Sequence, residues 1–153
     1  MEHVRTEVVH LDDNYLSGIM PVTMENLCNL KELDLHYNNI NDDIMRRLPE
    51  CSWSKLRYLD LHGANLTGKL YVWMGNLTNL GYLDISQNML VGGVPFGIGN
   101  MSCLHHLDLS QNMLVGAIHD GIGKLRNLTY LGLGLNNFSN MLSEEHFSSL
   151  VNL

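Results

Sequence analysis

A catalytic site needs a nucleophile, a base or a metal constellation gathered on one cleft. The residues of this 153-residue chain that could supply one are eight histidines, three cysteines and sixteen aspartates and glutamates. Their spacing assembles none. His105 and His106 are consecutive, so on a strand they face opposite sides and cannot share a metal. Cys28, Cys51 and Cys103 match no zinc or redox spacing and leave at least one thiol unpaired. Buried free thiols are the expectation for them, ahead of a bridge from Cys28 to Cys51 between neighbouring turns. Gly121, Ile122, Gly123 and Lys124 overlap the end of a phosphate loop, but its first glycine is absent and Leu125 stands where Ser or Thr is required. No kinase motif is present. The reading is therefore not an enzyme, with no catalytic residue, no cofactor and no metal site.

Charge and hydropathy exclude two further classes. The net charge of −7 comes from acidic residues scattered along the chain, with no basic stripe that could track phosphates, so nucleic acid is not an expected partner. No apolar stretch approaches the roughly 20 residues that span a bilayer, and the first five residues, Met1 to Arg5, lack an apolar signal core. This stretch of chain is not expected to insert into a membrane.

The elements that position these side chains follow from a repeat. LDLHYNNI, LDLHGANL, LDISQNML, LDLSQNML and LGLGLNNF, preceded by the looser HLDDNYL, make six copies of LxLxxNxL. The polar ladder position falls at Asn14, Asn38, Ala64, Asn88, Asn112 and Asn136, spaced by 24, 26, 24, 24 and 24 residues. The longer interval holds an extra stretch around Cys51, Ser52 and Trp53. Regular spacing predicts one domain, residues 1–153, built of stacked coils near 8–29, 30–55, 56–79, 80–103, 104–127 and 128–150, with a seventh begun at the C-terminus. The period-two pairs Leu33 and Leu35, Leu59 and Leu61, Leu83 and Ile85, Leu107 and Leu109, Leu131 and Leu133 predict short strands with one buried face, stacked as a parallel sheet. Ile40, Leu66, Leu90, Leu114 and Phe138 fill the turn that follows. An asparagine there can donate to and accept from the backbone of adjacent coils. Ala64 cannot, so its coil is expected to be looser, with a water or Asn65 taking over those bonds.

After the asparagine come Gly18, Gly68, Gly92 and Gly116, then an apolar residue at Met20, Leu70, Val94 and Ile118, then Pro21 and Pro95. With GNLTNL and GIGKLRNL, this resembles LxxLxLxxNxLxGxIPxxLGxLxxL, the repeat of plant extracellular leucine-rich-repeat receptor-like proteins and receptor kinases. The resemblance implies an α/β solenoid: a right-handed coil with a concave parallel β-sheet, a second small strand at GxIP, and short helical or 3-10 turns on the convex side. Asp42 and Asn140 stand where glycine is usual, and Met45, Tyr71, His119 and Ser143 replace the proline, so the outer strand is expected to be weak in those coils. The family's cysteine-paired caps are missing, which reads as a fragment of a longer receptor. Sequons at Asn65, Asn76, Asn100, Asn127 and Asn137 are glycosylation candidates that agree with a secreted ancestry.

Residues between the buried leucines point outward on the concave sheet. One column runs Val8, Glu32, Tyr58, Tyr82, His106, Tyr130, and the next His10, Asp34, Asp60, Asp84, Asp108, Gly132. A third runs Asp12, His36, His62, Ser86, Ser110, Gly134, flanked by Asp13, Tyr37, Gly63, Gln87, Gln111 and Leu135. Tyr58, Tyr82, His106 and Tyr130, with Tyr37, His36 and His62, are the candidate ligand-binding residues, because aromatic groups on a rigid sheet offer large area at little entropic cost. The aspartates read as structural acceptors. His36 and His62, beside Asp34 and Asp60, could switch repulsion to attraction in a mildly acidic compartment. The resemblance implies a recognition module of a plant cell-surface receptor, in defence or development, binding a peptide, glycan or protein and a co-receptor at the outer face of the plasma membrane or in the apoplast. A soluble inhibitor of a secreted hydrolase, an ice-interacting or scaffolding solenoid, and a decayed receptor remnant are the rival readings.

Overall fold

A strand of three residues cannot bury its apolar face alone, and in the computed structural model each such strand borrows its neighbours. The structure describes residues 5–20, 22–43, 46, 53–139 and 143–153. Six strands form one parallel sheet: β1 (Val8–His10), β2 (Glu32–Asp34), β3 (Tyr58–Asp60), β4 (Tyr82–Asp84), β6 (His106–Asp108) and β8 (Tyr130–Gly132). Their register has no slip, since the central residues Val9, Leu33, Leu59, Leu83, Leu107 and Leu131 pair in succession. Three more strands, β5 (Val91–Gly92), β7 (Met113–Gly116) and β9 (Asn137–Phe138), make a second parallel sheet. On the remaining side, among the described residues, lie 3-10 turns at Val22–Asn26, Val72–Asn76, Phe96–Asn100, Asp120–Lys124 and Glu144–His146.

Between these layers the leucines stack into continuous apolar columns. Leu33, Leu59, Leu83 and Leu107, then Leu30, Leu56, Leu80, Leu104 and Leu128, are fully buried, each contributing about 1.5–3 kcal/mol by the area it removes from water. The convex turns approach so closely that a side chain is excluded: a Cβ on Gly75 would fall onto the Gly97 carbonyl oxygen, and one on Gly99 onto that of Gly121. Trp53 fills the place that Leu77 and Leu125 hold in later coils and is buried. His146 occupies the position of Met74, Ile98 and Ile122, and it too is buried. It accepts the Ser143 amide at Nδ1 (3.0 Å), while Nε2 lies 2.8 Å from the Ile118 carbonyl oxygen, a pairing that fits the Nε2–H tautomer.

The asparagines hold adjacent coils together. Asn88 donates to the carbonyls of Leu61, Ile85 and Ser86 and accepts from the Leu66 amide. Asn38, Asn112 and Asn136 repeat that pattern one coil at a time, while Asn14 donates to Leu11 and Asp12. A left-handed residue precedes each of them, at Asp13, Tyr37, Gln87, Gln111 and Leu135, and turns the amide inward. At Ala64 the expected substitute is corrected. The Ile40 amide, which an asparagine oxygen would have served, donates instead to the Ala64 backbone carbonyl (3.0 Å), and Asn65 donates its own amide to the Asn39 side chain (2.7 Å). An extra left-handed residue at Asn65 (φ 60°) accompanies this change, and Ala64 is wholly buried.

Two further expectations are revised. The outer strand does not track the proline. His119 follows the longest outer strand, β7, while the coil containing Tyr71 has only the bridge from Lys69 to Val91. A strand needs only extended backbone facing an extended neighbour, which β7 finds on both sides in β5 and β9. Asp42, in place of a glycine, accepts the Met20 amide through its carboxylate (3.0 Å). Pro21, Met45 and Asn140 lie outside the described residues. Cys28 is disulfide-bonded rather than a free thiol; it sits on the convex turn at the place of the exposed Thr78 and Ser102, outside the leucine columns. Cys51 and Ser52 lie outside the described residues, and Cys103 is free but exposed, not buried.

Candidate functional site

Strand register alone decides which side chains meet on the concave face. Because Tyr58, Tyr82, His106 and Tyr130 pair residue for residue and adjacent strands lie ~4.8 Å apart, their rings stack. Centroids are 4.5, 4.2 and 4.3 Å apart, with interplanar angles of 14°, 12° and 4°. The rings present their edges to solvent and their faces to one another. Tyr130, at the end of the row, is 45% exposed.

Each aspartate of the next column caps the turn after its own strand. Asp34, Asp60, Asp84 and Asp108 accept the backbone amides of His36, His62, Ser86 and Ser110 at 3.2, 3.1, 2.9 and 2.8 Å. The column is tied to the aromatic row as well, through hydrogen bonds from the Tyr58 hydroxyl to Asp60 (3.2 Å) and from the Tyr130 hydroxyl to Asp108 (3.0 Å). It ends at Gly132, where a Cβ would strike the Asp108 carboxylate.

Burial sets the protonation states here. Loss of solvent, reinforced by the charges of Asp60, Asp84 and Asp108, pushes the Tyr82 hydroxyl up to about 12. Burial also raises the Asp60 carboxyl, despite the His62 amide that stabilises its charge. In His106 burial lowers the imidazole pKa against the pull of Asp84 and Asp108, and its Nε2 is buried without a hydrogen-bond partner. His36 goes the other way: burial opposes protonation, but the hydrogen bond and charge of Asp34, with the charges of Asp60 and Asp12, raise its pKa.

The third column gathers a second group. His36 stacks on His62 (5.2 Å, 9°), and Tyr37 lies edge-on to His62 at 4.3 Å, over Gly63, whose missing side chain leaves room for the ring. His36 Nδ1 is 2.7 Å from Asp34 and 4.0 Å from Asp60, and His62 Nδ1 is 3.6 Å from Asp60. The seven candidate ligand-binding residues therefore fall into two groups, the stacked row and the histidine pair with Tyr37. Three sets of possible metal-binding atoms lie within 4.8 Å of one another among the described residues: His36, Asp60 and His62; Asp12, Asp13 and His36; and Asp84, His106 and Asp108. The sequence reading paired each histidine with the aspartate of its own strand and missed that Asp60 stands between two coils. His105 is exposed and precedes β6 rather than lying on it. Of the sequon asparagines, Asn76, Asn100, Asn127 and Asn137 are exposed, while Asn65 is half-buried and bonded to Asn39.

Among the described residues no helix is long and apolar enough to cross a membrane. No curated protein matches the chain. Solved structures do. The plant peptide hormone receptor RGFR1 in complex with RGF2 is similar with a TM-score of 0.90 and 28% identity, over 96% of this chain and 23% of that one. The ectodomain of the Arabidopsis thaliana membrane receptor kinase GASSHO1/SCHENGEN3, in complex with Casparian strip integrity factor 2, matches with a TM-score of 0.88 and 33% identity, over 94% and 17%. The Arabidopsis receptor kinase HAESA, in complex with the peptide hormone IDA and the co-receptor SERK1, matches with a TM-score of 0.78 and 28% identity, over 88% and 22%. The chain thus spans about a fifth of the length of these receptor ectodomains, and it shares their solenoid. The Leucine Rich Repeat family model matches residues 29–51, 55–77, 79–101 and 103–125, and the chain belongs to the leucine-rich-repeat family.

Proposed function

We propose that this chain is a peptide-binding segment of a plant receptor ectodomain, working outside the cell in development or defence. It takes an extended peptide along the concave face and acts by binding, with a co-receptor as a second partner. The observation that carries the reading is the row of four stacked rings, Tyr58, Tyr82, His106 and Tyr130, on a sheet without register slips. Such a row is rigid, so a ligand orders few side chains on docking. The similar ectodomains include complexes with peptide hormones, which supports this choice of ligand class.

A peptide suits the face better than a glycan. Sugar rings pack against the faces of aromatic rings, and here Tyr82 and His106 have both faces turned to neighbouring rings. Along the middle of the row, ring edges and the Tyr82 hydroxyl are what remains. The exposed Asn76, Asn100, Asn127 and Asn137 are the sequons best placed to carry glycans, away from the stacked row.

The test is a screen of synthetic plant secreted peptides against the chain, repeated with Tyr82→Ala and Tyr130→Ala. Weakening by roughly tenfold or more for each variant is expected, the size of a hot-spot loss. A bound peptide indifferent to both substitutions would place recognition elsewhere and overturn the reading.

A further inference from the structure

We infer that His36, Asp60 and His62 form a binding site for a late first-row divalent cation of the zinc class, on the concave face between β2 and β3. Ligand atoms about 2.0–2.1 Å from a tetrahedral zinc are about 3.4 Å from one another. The Asp60 carboxylate oxygens already lie 4.0 Å from His36 Nδ1 and 3.6 Å from His62 Nδ1, and one ligand atom from each of the three residues falls within 4.8 Å of the others. Closing the set means drawing ligand atoms that lie within 4.8 Å of one another in to that spacing, through a turn of the stacked imidazoles about their Cβ–Cγ bonds, a soft torsion.

The donor set is two imidazoles and one carboxylate, which favours zinc and its neighbours over calcium or magnesium. It is also held from outside. The ion would replace the hydrogen bond between His36 Nδ1 and Asp34 (2.7 Å), while Tyr58 and the His62 amide each donate a hydrogen bond to the Asp60 carboxylate. Such supports orient ligands and raise their basicity. Asp34, Asp12 and Asp13 add negative charge around His36, which favours a cation. Both histidine side chains are 20% exposed, so an ion can reach them, and its fourth position would open onto the groove.

The two other sets are poorer. Asp12, Asp13 and His36 offer a single nitrogen, and the Asp13 side chain is 71% exposed. The set with Asp84 and Asp108 also offers a single nitrogen, from His106, whose ring is stacked between Tyr82 and Tyr130 at 4.2 and 4.3 Å.

Zinc chloride titrated calorimetrically into the full chain, stripped with chelator and free of peptide, tests the site independently of peptide binding. One ion per chain is expected, with His36→Gln, His62→Gln and Asp60→Asn each weakening it roughly tenfold or more and His119→Gln leaving it unchanged. Nitrogen-15 shifts of the His36 and His62 rings on zinc addition to the unsubstituted chain provide a readout that needs no variant to fold. Absence of saturable binding, or ring shifts confined to other histidines, would overturn the assignment.

Discussion

At the scale of single residues, the concave face is governed by which polar atoms find partners. His106 is the exception, a half-buried imidazole in a stack that leaves its buried Nε2 unbonded. Its pKa is lowered in the folded state, so the unfolded chain takes up the proton first as pH falls. Full stability from this residue is present above the unfolded value near 6.5 and is lost as pH drops from there through the folded value. Urea midpoints of the wild type and His106→Phe should therefore diverge between pH 7.5 and 5, the wild type losing more; parallel profiles would contradict this. Asn88 is the opposite case, bonded through both its amide nitrogen and its oxygen. Asn88→Ala should cost about 2–3 kcal/mol in denaturant unfolding, since it strands the Leu66 amide and takes one donor from each of three carbonyls. The reverse substitution does not restore stability elsewhere. Ala64→Asn should destabilise the chain, because the Ile40 amide is already satisfied by the Ala64 carbonyl and a buried side-chain oxygen would lack a donor. Sequence reasoning located the ladder and its gap at Ala64. It could not locate the repair, because a backbone carbonyl carries no sequence signature.

Elements are specified less by their own residues than by the coil beside them. The outer strands form wherever two extended segments meet, so β7 persists next to His119 without a proline. The convex turns impose the tighter demand. Gly99 faces the Gly121 carbonyl with no room for a methyl group, whereas Gly134 has nothing within 4 Å of its missing Cβ. Gly99→Ala should lower stability by about 1–3 kcal/mol through overpacking, while Gly134→Ala should be neutral or mildly stabilising by reducing the freedom of the unfolded chain. Equal effects at the two glycines in thermal unfolding would show that the turns tolerate spreading. The consensus marked glycines on both sides of the coil, but only the stacked geometry separates those required by contact from those that are merely permitted.

Over the whole molecule, the fold is a one-dimensional stack in which each coil is stabilised by its neighbours. Leu83→Ala at the centre should cost about 2–5 kcal/mol and raise amide exchange in β3 and β6 more than in β1, three strands away; a uniform rise would indicate a fully cooperative domain. By itself the sequence determined the repeat, the six inner strands, the inward leucines and the outward columns, because each depends on a local period that any single coil displays. Only the tertiary structure decided that four aromatic rings close into one stack, that Ala64 is relieved by its own carbonyl, and that Asp60 stands between His36 and His62. Those outcomes depend on how far one coil is displaced from the next and on which way each side chain turns, and neither quantity is written in a period.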